Sequence, residues 1–68
     1  MSDTYTTKVP VTTVSSGNEP QRIVPPRTKV RHDKNEERTA LYVIEGGDLS
    51  GHIIAVPHRQ KSAILEPV

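Results

Sequence analysis

At 68 residues, with no Cys, no Phe and no Trp, the chain can form at most one small domain. It lacks disulfide or thiolate-metal staples and has little aromatic surface to bury. Its formal net charge of +1, from nine Lys and Arg against eight Asp and Glu, does not by itself imply a polyanionic partner.

Residues 1–26 read as an extended, non-regular arm. Thr, Val and Tyr dominate residues 4–7 and 9–14, and their branched or aromatic side chains favour extended backbone. Pro10 removes an amide donor and restricts the second run to an edge or a clamped segment. Ser15, Ser16, Gly17 and Asn18 form a loop signature, and Pro25-Pro26 predicts a short polyproline-like rod. Tyr5, Val9, Val11 and Val14 are spaced as contacts of an arm laid across a neighbour.

Residues 27–57 read as a hairpin or three-stranded meander. Thr28, Val30 and His32 alternate with Arg27, Lys29 and Arg31, the period of a strand with one charged face. Residues 33–36 carry turn chemistry. Residues 38–45 and 52–56 are the strongest strands, separated by a Gly-rich connection, with Pro57 as the terminator. An alternative makes Asp33 a helix N-cap with Glu36 closing a capping box, though β-branched residues follow. Both faces of the two strong strands are apolar. Leu41 and Val43 oppose Ala40, Tyr42 and Ile44, while Ile53 and Ala55 oppose Ile54 and Val56. The tail, residues 58–68, offers Ala63, Ile64, Leu65 and Val68 as cover. That covers one face, so the other is expected to meet a different subunit. The fold class is therefore mostly β with an extended arm and little or no helix.

The chemistry-bearing residues do not form a recognisable catalytic set. The Gly46–Gly51 stretch lacks the Lys-Ser/Thr and following helix of a phosphate loop. His32, His52 and His58 lack the spacing of a zinc site. Ser50 and His52 have no orienting acid to complete a triad. So few side chains are not expected to wall a pocket of a few hundred Å³, so no enzyme activity, cofactor or metal is expected. Charge is uneven: residues 1–19 carry one cation and two acids, 20–38 six and three, 39–68 two and three, giving −1, +3 and −1. Arg22, Arg27, Lys29, Arg31 and Arg38 are candidates for electrostatic contact with an acidic surface. Interleaved acids and the absence of stacking aromatics there argue against nucleic acid.

The sequence thus predicts a small structural accessory protein that binds and stabilises a larger assembly. A virion or phage-particle cement, decoration or connector protein fits that description. Its expected partner residues are Tyr5, Val9, Val11, Val14, Leu41, Tyr42, Val43, Ile44, Ile53, Ile54, Val56, Ile64 and Leu65. The alternatives are a regulatory or nucleic-acid-associated protein using residues 22–38, and a freestanding homo-oligomer. No apolar run is long enough to span a bilayer, and no signal-peptide pattern opens the chain. The expected place is a virion or the cytoplasm of the producing cell, neither secreted nor in a membrane.

Overall fold

The computed structural model describes residues 3–14 and 20–68. The expected loop at Ser15, Ser16, Gly17 and Asn18 lies outside the described residues. Seven strands occur in chain order: β1 (Thr4–Thr7), β2 (Val11–Thr12), β3 (Ile23–Val24), β4 (Lys29–Asn35), β5 (Thr39–Ile44), β6 (Ile53–Pro57) and β7 (Leu65–Pro67). Among the described residues, helix is confined to 3-10 turns at Gly47–Leu49 and His58–Gln60, and to a single α-turn, α1 (Lys61–Ile64). The fold is mostly β, as composition predicts.

Five strands form one antiparallel sheet in the order β6-β5-β4-β1-β7, and β2 and β3 pair as a separate ribbon. The β5–β6 hairpin sits within a residue or so of its expected limits, because dense β-branched residues end at glycine and proline. Its connection is tight: Gly47 and Gly51 hold φ of 74° and 92°, where a Cβ would be strained. β4 continues past His32 through residues expected to turn. The register slips between His32 and Lys34, so Asp33 is accommodated as a bulge and the turn moves to residues 36–38. The expected Asp33 N-cap opens no helix.

The largest departure from expectation is the arm. Residues 4–7 lie inside the sheet, with Tyr5 opposite Val30 of β4 on one side and Pro67 of β7 on the other. The chain then leaves the sheet: the Lys8 amide donates to Ile64 O (2.6 Å), and Thr13 bridges to Ile54 of β6. The Val14 amide donates to Ile53 O (2.8 Å). Residues 3–14 therefore run from the middle of the sheet to its far edge strand, rolling the strands around one core. The sheet runs across the divisions expected at 26/27 and 57/58, with β1 and β7 beside β4 to β6.

That core contains Val24, Val30, Ala40, Tyr42, Ile44, Ile54, Val56 and Leu65, all nearly free of solvent, with Tyr5, Val11, Leu49 and Ile64 packed against it. Tyr5 meets Tyr42 edge-on at 5.6 Å between ring centroids, and His32 meets Tyr42 at 5.4 Å. Such edge contacts add to burial in a core with only two tyrosines.

Two threonines fasten the returning segment. The buried Thr7 hydroxyl donates to Pro25 O (3.0 Å) and accepts from the Thr28 amide (3.0 Å). The buried Thr13 hydroxyl accepts from the Arg22 amide (2.9 Å). Burial of a hydroxyl is tolerated when it is hydrogen-bonded, and here each also satisfies a backbone group.

Candidate binding face

In a pleated sheet, residues paired across strands share a face. The register pairs Leu41 with Ala55, Val43 with Ile53, and Thr39 with Pro57. All six are half-buried, while the alternating residues Ala40, Tyr42, Ile44, Ile54 and Val56 are buried. On the outer face of β5 and β6 these side chains form a continuous apolar patch. Val14, 45% exposed, extends it beside Ile53, whose carbonyl its amide bonds.

The register also says what borders the patch. Arg31 pairs with Val43 and Lys34 with Leu41, so both cations of β4 stand on the outer face. Lys29 follows one pleat further along, opposite Thr6 of β1. All three are exposed. The face is therefore an apolar strip flanked by a row of three cations, with Thr4 and Thr6 beyond it.

The expected partner residues divide accordingly. Tyr42, Ile44, Ile54, Val56 and Leu65 are buried in the chain's own core and are unavailable to a partner, because the arm and β7 supply the cover that the hairpin alone lacks. Tyr5, Val11 and Ile64 pack on that core from its margin. Leu41, Val43 and Ile53 remain on the outer face, joined by Val14. Val9 is 40% exposed on the crossing between β1 and β2. Among the expected electrostatic residues, Lys29 and Arg31 border the patch. Arg22, Arg27 and Arg38 are exposed in turns or loop. Lys34, expected in a turn, and Ala55, expected on the face of Ile53, were not among the expected contact residues, and the register places both on this face. The bulge at Asp33 decides that Lys34 faces outward, and a bulge leaves no local pattern.

The histidines serve local structure. His52 Nδ1 approaches Leu49 O at 3.0 Å and closes the glycine loop, and His58 Nε2 lies 3.0 Å from Glu36 O, tying the turn after β6 to the β4–β5 hairpin. His32 Nε2 lies 3.0 Å from Asn35 Oδ1 across the bulge. Among the described residues, no group of three His, Asp or Glu side chains is arranged to hold a metal ion. No helix among them is long and apolar enough to cross a membrane. Comparison with protein families, curated proteins and solved structures found no match.

Proposed function

We propose that this chain is a non-catalytic accessory protein that binds and stabilises a larger assembly, laying the outer face of β4, β5 and β6 on an apolar surface bordered by acids. The observation that carries this reading is the pairing of Arg31 with Val43 and of Lys34 with Leu41, which sets a cationic row directly beside a half-buried apolar strip. Apolar area supplies the attraction, and the row selects a partner of opposite charge and fixes its orientation. A chain this small presents one such face, so it suits a partner that repeats the complementary surface many times. A virion or phage particle, with this chain as cement or decoration, is the setting we propose. Nucleic acid is the rival occupant for the cations, but the strip beside them carries no aromatic side chain on which a base could stack.

The test is co-sedimentation with assembled particles from the producing cell, comparing the native chain with Leu41→Asp and Ile53→Asp. The native chain is expected to travel with protein particles after nuclease treatment and to remain bound as salt is raised. Both variants should stay in the supernatant while keeping a β-type circular dichroism spectrum. Three outcomes would defeat the reading: equal behaviour of native and variant chains, release by nuclease or by moderate salt, or a purified native dimer that Ile53→Asp converts to monomer. The last would make a second copy the occupant.

A further inference from the structure

On the other side of β1 and β7 from the docking face lies a surface cavity of about 470 Å³. Its apolar wall is Leu65 and Pro67 of β7 with the ring of Tyr5, which the register places opposite Pro67. Its polar rim is Lys8, His58, Lys61 and Ser62. The short segment between β6 and β7 delivers three of these four, and Lys8 follows β1 directly.

The two ammonium groups are held in place by uncharged groups of the chain. Lys8 Nζ donates to Ser62 O (2.9 Å), which uses one of its three N–H bonds. Lys61 Nζ stands over the Tyr5 ring, 4.7 Å from its centroid, and the hydroxyl of the same residue helps to keep the ammonium charged. No residue lining the cavity is acidic, and neither lysine meets a carboxylate among the described residues. Two like charges fixed beside one hollow repel each other, and an anion between them would be attracted by both. The nearby apolar wall is what an anion carried on a hydrophobic body requires.

We propose that this cavity binds an organic oxyanion. A carboxylate or phosphate monoester group sits between Lys8 and Lys61, and its apolar body rests on Leu65, Pro67 and the Tyr5 ring. The site is separate from the docking face, and its failure would leave the reading of that face untouched.

Titration of the full chain with phenyl phosphate and with benzoate, followed by amide chemical shifts, tests the site. Inorganic phosphate and benzyl alcohol serve as controls. Saturable shifts are expected at Lys8, Lys61, Ser62 and Leu65 for at least one of the two aromatic anions, and the tighter of them identifies the preferred oxyanion. Lys61→Gln should raise the dissociation constant about tenfold, a loss of about 1.4 kcal/mol, with the remaining spectrum unchanged. Lys8→Gln should act in the same direction. The proposal fails if neither anion saturates at millimolar concentration, or if Lys61→Gln leaves the titration unaltered. It also fails if inorganic phosphate binds as tightly as phenyl phosphate, since the apolar wall would then contribute nothing.

Discussion

The two faces of the β5–β6 hairpin are built from nearly the same amino acids and have opposite fates. Ala40, Tyr42, Ile44, Ile54 and Val56 are sealed inside, while Leu41, Val43, Ile53 and Ala55 stay half in water. Hydrophobicity does not separate the two sets. What separates them is which face the rest of the chain can reach: β1, β3 and β7 all deliver their buried side chains, Thr7, Val24 and Leu65, to the same side. The rest of the chain covers one face of this hairpin and leaves the other partly exposed.

The sharpest way to break this comparison is to truncate one residue on each face. Ile54→Ala should cost about 2–5 kcal/mol, since it opens a cavity in a packed core. In a protein this small that approaches the whole of its stability. The neighbouring Ile53→Ala should cost less than about 1 kcal/mol, because water already reaches that side chain and can fill the space. Urea unfolding of the two variants checks the difference. Equal losses would mean that the outer face is as well packed as the inner one.

Next in size is the polar fastening that brings the arm onto the inner face. Thr7→Val keeps shape but leaves the Thr28 amide without its acceptor and removes a donor to Pro25 O. A loss of about 1–3 kcal/mol is expected for the stranded amide, while Pro25 O keeps the Thr28 hydroxyl as a donor at 2.7 Å. Thr12→Val, on the exposed side of β2, is the control and should change little.

A pH experiment sharpens the inner side further. Burial raises the Tyr42 phenol above its ordinary pKa, against a smaller opposing pull from the Lys61 charge. Lys61 is itself shifted upward, chiefly by the Tyr5 hydroxyl. In both cases the folded chain holds its proton where the unfolded chain has begun to release it. Stability from these groups is therefore full below about pH 10 and falls as pH rises through the folded values. Tyr42→Phe should flatten that alkaline decline, as followed by thermal unfolding between pH 8 and pH 11.

The smallest effect is expected outside both faces. Arg27 has φ of 67°, at the position after Pro26 where such turns favour glycine. Arg27→Gly relieves that strain and should stabilise the fold by no more than about 1 kcal/mol, partly offset by greater freedom in the unfolded chain. A clear loss of stability would show that the guanidinium makes up for the strain.

Local patterning made β5 and β6 legible, because each strand is a run of β-branched side chains closed by glycine or proline. The arm was not legible in the same way. Residues 4–7 show extended propensity, but their place between β4 and β7 depends on partners far along the chain. Thr7 and Thr13 look like surface residues until their hydrogen-bond partners are known. The apolar part of the outer face could be read from sequence only as one of two equivalent faces. The Thr13–Ile54 bridge and the Asp33 bulge, both non-local, decide which face turns outward and which cations border it. The cavity beside β1 and β7 is lined by Lys8 and Lys61, which lie far apart in the chain, and no spacing rule connects them.

The position of β1 between β4 and β7 also governs the order in which this protein can be assembled. Residues 4–7 leave the ribosome early, yet one of their two neighbours is β7, at residues 65–67. Until that strand emerges, β1 has an open edge beside an apolar core, the exposed geometry from which strands pair between chains. Such distant pairing also slows folding, because a long loop must close before its contacts form. A chain truncated before Leu65 is therefore expected to aggregate rather than fold partially, and its solubility would report how strongly the whole sheet depends on its last strand.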